Sequence, residues 1–255
     1  MYKDNLFFNE LASQIHASKS KNTFLFVHGY CTTFSDAAKQ TAQISYDLRF
    51  DGTPVFYSWP SQGELLKYFT DEQNIEWAQK NLKNFIKDFF LHSHAKNVYL
   101  IAHSLGSRAL TRALITLFKE KPTLRNRLKE VILAAPDIDA EVFKQDIAPA
   151  LAAAGRPVTL YASASDRALS LSKFIHGYPR AGDSKPVVVF PGVETIDVTA
   201  VNTDLTDLFK HGYYAKNRSV LEDISTLIST GKRADERFYP HRVNSKIGTY
   251  WEFKP

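Results

Sequence analysis

The chain has 255 residues, 44% hydrophobic and 23% charged, with one cysteine, Cys31. That length and apolar share suit one domain with its own core, and exclude both a chain disordered throughout and a scaffold stapled by intrachain disulfides. Lys plus Arg number 32 and Asp plus Glu 27, a net charge of +5. These charges are interspersed. The densest basic stretch, Arg125 to Lys129, runs into Glu130 and reads as a solvated helix end, so nucleic acid is not an expected partner.

No apolar run approaches the roughly 18 residues of a membrane span. The N-terminal MYKDNLFFNELASQ carries Asp4 and Glu10 and lacks a continuous apolar stretch. It does not read as a signal peptide, and a cytoplasmic location is the expectation. The first strand-like run is Thr23 to Val27, ending at His28-Gly29. Ala37, Thr41, Ile44 and Leu48 then fall at helical spacing, with Ser35 or Asp36 as the expected N-cap. Val55 to Trp59 reads as a strand stopped by Pro60, and Ile75 to Phe90 as one face of a long helix opened by Asp71-Glu72. Val98 to Ala102 is the next strand, and Leu105 to Lys119 the next helix.

The alternation continues through Val131 to Ala135 (strand), Ala140 to Leu151 (helix), Pro157 to Ala162 (strand) and Leu169 to Ile175 (short helix). Gly177 to Pro191 reads as loop, Val193 to Val198 as strand and Val220 to Ile228 as the closing helix. The expected organisation is one domain over residues 1–255, with an N-terminal arm, 1–22, and a C-terminal extension, 231–255, that is either a strand or a packed arm. About six near-continuous apolar strands separated by helices predict an open, mostly parallel α/β sheet.

The most informative segment is VYLIAHSLGSR, residues 98–108. An apolar strand runs straight into Ser104 and a helix follows at once, the context of a nucleophile elbow. Such a turn strains the serine backbone and projects its hydroxyl above the sheet, and needs small residues two before and two after. Ala102, in place of the usual glycine, and Gly106 fill those positions. A serine hydroxyl also needs a base and donors for a developing oxyanion. The candidate donors are the N–H groups of Leu105, next to the serine, and of Tyr30, beyond the strand that ends in His28-Gly29; Gly29 is expected to let the backbone turn tightly. His28 reads as structural, hydrogen-bonding the loop, and Cys31 as a packing residue.

The segments FLFVHGY, VYLIAHSLGSRAL, VILAAPDIDAEVF, VTLYASASDRAL and HGYYAKNRSVLEDI, in this order over residues 24–228, resemble the α/β-hydrolase superfamily. Within it the pattern is similar to a bacterial esterase/lipase-like family of largely unassigned substrate. The resemblance implies an α/β-hydrolase fold whose two strands before the His-Gly strand are reduced, since only about 22 residues precede it. It also implies a triad in the order serine, acid, histidine. Asp166, after the Pro157 to Ala162 strand, is the implied acid, with Asp137 and Asp139 as alternatives. His211, between the last strand and the closing helix, is the implied base, with His176 and His241 as alternatives. His16, His92 and His94 read as surface residues.

The expected activity is hydrolysis of a small-molecule acyl ester through an acyl-enzyme. Thioesterase, amidase or acyltransferase chemistry on the same triad stays open, as does a non-catalytic binding protein on this fold. No nucleotide-binding motif is present and His92-Ser93-His94 is too short a cluster for a metal, so no cofactor or metal is expected. Oligomeric state has no signal in the sequence. The region 171–191 is expected to form a pocket wall, with Phe174, Tyr178 and Arg180 as lining candidates or, for Phe174, plain helix surface.

Overall fold

The computed structural model describes residues 2–201 and 214–255. In chain order it runs α1 (Tyr2–Ala17), β1 (Asn22–Val27), α2 (Phe34–Asp47), β2 (Thr53–Tyr57), α3 (Tyr68–His92), β3 (Asn97–His103), α4 (Leu105–Glu120) and β4 (Leu128–Ala134). There follow α5 (Ala140–Val142), a π-helical turn (Phe143–Ile147), α6 (Ala148–Ala153), β5 (Val158–Ala162), α7 (Arg167–His176), β6 (Val193–Asp197), α8 (Tyr214–Thr230), β7 (His241–Ser245) and β8 (Gly248–Glu252). The strands form one sheet in the order β2-β1-β3-β4-β5-β6-β8-β7. β1 to β6 pair in parallel, β8 joins β6 in parallel, and β7 pairs antiparallel with β8.

The apolar runs are strands because both faces of the sheet are covered. Leu25, Val27, Leu100, Ala102, Leu133 and Leu160 face one core with Leu82 and Ile86 of α3 and Leu110 and Leu114 of α4. Phe24, Phe26, Ile101, Ile132, Tyr161 and Ile196 face the other, with Ile44 of α2 and Val220, Ile224 and Leu227 of α8. The period-2 alternation along each strand sends neighbouring side chains to opposite cores. Among the described residues no helix is long and apolar enough to cross a membrane.

Several boundaries differ from expectation. Residues 2–17, read as part of an arm, form α1, which buries Leu11 and Ile15 and supplies no strand ahead of β1. β2 stops at Tyr57; Trp59 lies in the following loop, buried, its indole N–H donating to the His28 carbonyl at 2.8 Å. α2 is capped by Thr33 rather than by Ser35 or Asp36. Asp36 is instead the third residue of a capping box: the Thr33 hydroxyl accepts from its N–H, and its carboxylate accepts from the Thr33 N–H.

The tail resolves into the β7–β8 hairpin, held to the body by a short pairing, by the buried Phe253 and by charge. β8 meets β6 at only Ile196–Trp251 and Asp197–Glu252. Arg233 donates to Glu130 at 2.8 Å and to Glu194 at 2.9 Å. Arg237 donates to Asp223 of α8 at 2.9 Å, and the Tyr161 hydroxyl donates to the same carboxylate at 2.6 Å. Asp223 and Arg237 are both buried. Burial pushes the Asp223 carboxyl up, and the Arg237 charge and the hydrogen bonds oppose that.

Removing one partner of such a pair strands the other charge in the core. Arg237→Ala is therefore expected to lower the unfolding free energy by about 3–5 kcal/mol in urea titrations. Adding Asp223→Asn in the same chain should recover part of that loss. A cost under about 1 kcal/mol for the single variant would mean that the pair does not anchor the tail.

Candidate active site

β3 delivers Ser104 to the C-terminal edge of the sheet, between β1 and β4. Ser104 has φ 49° and ψ −124°, a left-handed backbone that a non-glycine residue keeps only under constraint. The constraint is visible on both sides. The Ser104 N–H donates to the Ala134 carbonyl at 3.1 Å, and its own carbonyl accepts from the Asp137 N–H at 3.2 Å. At Gly106 an added Cβ would stand 2.4 Å from the His28 carbonyl oxygen and 2.6 Å from that of Val27, so the first turn of α4 lies directly on the end of β1. Gly29 is also needed for space: a Cβ there would meet His103 Nδ1 at 2.7 Å and Ser104 Cβ at 3.1 Å. Its φ is not left-handed, so the expectation of a glycine-dependent turn gives way to one of close approach.

The two candidate donors follow β1 and β3 in the chain. Leu105 opens α4, so its N–H has no carbonyl one turn back within the helix. Tyr30 follows β1, and among the described residues no acceptor takes its N–H. Its ring packs edge-on against Tyr68 at 5.3 Å. Burial raises the Tyr30 phenol, and the charges of Cys31, Asp71, Asp137 and Asp166 add to that.

The candidate acids follow successive strands. Asp166 lies beyond β5, two strand spacings or roughly 9.5 Å along the edge from β3. It is buried, and its Oδ1 caps α7 by accepting from the Leu169 N–H at 3.0 Å. Asp137 lies beyond β4 with its carboxylate engaged by the Tyr68 hydroxyl at 2.5 Å, the Ser172 hydroxyl at 2.7 Å and Arg180 Nε at 3.3 Å. Asp139 caps α5, accepting from the N–H groups of Glu141 and Val142. His211 lies outside the described residues. His176 is held at 2.8 Å from the Ser172 carbonyl and 3.0 Å from the Glu72 carboxylate, so both ring nitrogens face acceptors. His241 opens the far edge strand and is exposed.

A part-buried polar network that no local pattern in the sequence announces joins α3, α4 and α7. Glu72 joins His176 to Arg108, which donates to it at 2.7 Å and to the Asp137 carbonyl at 3.2 and 3.3 Å. Burial would raise the Glu72 carboxyl, but the Arg108 hydrogen bond and charge, with His176, hold it below its ordinary range. α3 opens at Tyr68, before the expected Asp71-Glu72; only Asp71 lies in its first turn, and both carboxylates serve particular partners. The ordinary sequence cue for such pairs is i, i+4 spacing, and Glu72 and Arg108 are 36 residues apart.

The expected pocket wall is only partly one. Phe174 is 86% exposed on the surface of α7, and Arg180 is buried in the Asp137 network. Tyr178 lines a cleft of about 530 Å³ with Ala140, Pro186, Val187, Val189 and Ile247, a lining that does not include Ser104.

His28 is structural, as read. Its Nδ1–H donates to the Gly29 carbonyl at 2.8 Å, its Nε2 accepts from the Trp59 N–H at 3.2 Å, and its ring stacks on the Trp59 ring at 5.0 Å. Burial lowers its pKa to about 4, against the opposing pull of the Gly29 hydrogen bond and the Asp71 charge. The unfolded chain takes this proton near pH 6.5 and the folded one only near 4, so stability is lost as pH falls through that window. The expected loss from this one group is about 3 kcal/mol. NMR of the imidazole nitrogens should show a neutral Nδ1–H ring down to about pH 4. A midpoint near pH 6.5 would contradict the assignment.

No curated relative matches the chain. Solved structures similar to it include an uncharacterized protein from Bacillus cereus, at 14% identity over 85% of this chain and 62% of that one, with a TM-score of 0.49. They also include an alpha-beta serine hydrolase homologue from Coxiella burnetii (14% identity, 81% and 86% covered, TM-score 0.42) and carboxylesterase CesB from Bacillus subtilis (12%, 90% and 100%, 0.44). The assignment rests on the family match rather than on these likenesses: residues 4–230 match the family described as alpha/beta hydrolase of unknown function (DUF900), and the chain belongs to it.

Proposed function

We propose that this hydrolase cleaves small-molecule carboxylic esters through an acyl-enzyme on Ser104. The observation that carries the reading is the strained backbone of Ser104 at the junction of β3 and α4, held by the contacts at Gly106. Strain of this kind persists where the surroundings over-determine it, and here it belongs to a serine at the end of a strand, the context of a nucleophile elbow.

Ser104 Oγ attacks the ester carbonyl carbon while His211 takes its proton. The N–H groups of Tyr30 and Leu105 bind the oxyanion of the tetrahedral intermediate. The intermediate collapses, the C–O bond to the alcohol breaks, and His211 returns the proton to the departing oxygen. Water then attacks the acyl group by the same route and frees Ser104. Asp166 orients the imidazole and stabilises its charged form. The engagement of the Asp137 carboxylate by Tyr68, Ser172 and Arg180 supports Asp166 over Asp137 for that role.

Intact-mass analysis after fluorophosphonate treatment is expected to give one adduct on the wild type and none on Ser104→Ala. With p-nitrophenyl esters of graded acyl length, Asp166→Asn should lower kcat by roughly 10³- to 10⁴-fold, because an amide favours the wrong imidazole tautomer. Asp137→Asn and Asp139→Asn should cost far less. An adduct on another serine, or an Asp137→Asn loss as large as that of Asp166→Asn, sinks the corresponding assignment.

A further inference from the structure

We infer that Asp71 is a positioning residue that fixes the loop carrying the oxyanion donor Tyr30, an inference that rests on the ester-hydrolase reading of Ser104. Asp71 stands in the first turn of α3 and is fully buried. Among the described residues its partners are neutral donors, not a Lys or Arg. The Cys31 N–H reaches Oδ2 at 3.0 Å, the Ser61 hydroxyl reaches the same oxygen at 2.5 Å, and the Gln62 N–H reaches Oδ1 at 2.7 Å. One carboxylate thus ties the loop after β1 to the loop after β2.

The consecutive N–H groups beyond Tyr30 show what this tie does. Cys31 donates to Asp71, Thr32 to the Ser61 hydroxyl at 3.1 Å, and Thr33 to Asp36 at 3.3 Å. The first goes to Asp71 directly and the second through one hydroxyl that itself hangs on Asp71. Cys31 also has φ 53°, a conformation that a non-glycine residue leaves when its partners are removed. Releasing the Cys31 N–H therefore lets the chain turn back at 31 and carries the Tyr30 backbone with it. A donor displaced by 1 Å loses most of its value in the transition state and little in the ground state, where the substrate carbonyl carries less charge. Among the described residues no hydrogen bond joins Asp71 to Ser104 or Tyr30; it acts through Cys31 and Ser61.

Asp71→Asn keeps the shape but offers one acceptor oxygen where three donors need two. Per fluorophosphonate-titrated site, kcat on a p-nitrophenyl ester is expected to fall about 10²-fold with KM within about two-fold. An alkyl boronic acid forms a tetrahedral adduct on Ser104 with an oxygen at the oxyanion position, and its affinity should fall by a similar factor. A purely structural role would reduce the number of titrated sites and leave both per-site values alone. Ser61→Ala removes one donor to Asp71 and the acceptor for Thr32, and should lower per-site kcat roughly 3- to 10-fold. Wild-type per-site kcat and boronate affinity in Asp71→Asn overturn the inference. If that variant does not fold, an unchanged per-site kcat in Ser61→Ala overturns it instead. Failure of the ester reading shows separately, as wild-type protein that neither turns over esters nor labels on Ser104, and it removes the oxyanion assignment as well.

Discussion

The closeness of α4 to the end of β1 is the constraint on which the rest of the Ser104 edge depends. With backbone carbonyls 2.4 and 2.6 Å from where a Cβ at 106 would lie, the helix can start only where it does, and the chain has no room for a relaxed turn before it. The left-handed serine is the consequence. Conformations of this kind cost about 1–3 kcal/mol, and neighbouring contacts must outweigh that. They come from the next loop, through the Asp137 N–H and the Ala134 carbonyl. The next loop is itself pinned: a Cβ at Gly182 would stand 2.5 Å from the Ala135 carbonyl carbon, and the Gly182 N–H donates to Pro136. Three successive pieces of chain thus lock one another at the strand ends.

Above that edge the helices are joined by polar contacts as much as by apolar ones. Arg108 of α4 reaches Glu72 of α3, which reaches His176 of α7, while Tyr68 of α3 and Ser172 of α7 meet on Asp137. Hydrogen bonds fix direction as well as distance, so α3 and α7 are oriented about the serine and not merely pressed against it. Apolar packing tolerates small shifts of a helix; a buried carboxylate with three donors does not.

Which parts were legible in the sequence follows from the range of the forces involved. The six parallel strands could be read because burial on both faces leaves runs such as Phe24 to Val27 and Val131 to Ala134 almost without polar residues. The elbow could be read because its strand, serine and small residues are contiguous. α1 could not: it buries only a narrow stripe including Leu11 and Ile15, and Leu6 and Phe7 remain exposed, which blurs its periodicity. The N-cap of α2 was missed by two or three residues because Thr33, Ser35 and Asp36 all suit a cap, and only the reciprocal bonds of Thr33 and Asp36 decide it. The tail was ambiguous because part of its hold on the sheet comes from Arg233 and Arg237, whose partners Glu130, Glu194 and Asp223 lie far back in the chain. The polar network around Asp137 joins residues up to 104 positions apart, and no local pattern reports a pairing of that reach.

The C-terminal hairpin bears on how copies of this protein meet one another. An open parallel sheet ends in a strand whose free N–H and C=O groups invite another chain to pair, and β6, with Val193, Thr195 and Ile196 buried, would make an adhesive margin. The hairpin covers the end of that margin and turns the chain round, so that the outermost strand is His241-Arg242-Val243-Asn244-Ser245. Four of those five residues are exposed, and all four are polar or charged. A strand of that composition offers an approaching sheet little apolar surface on which to pair.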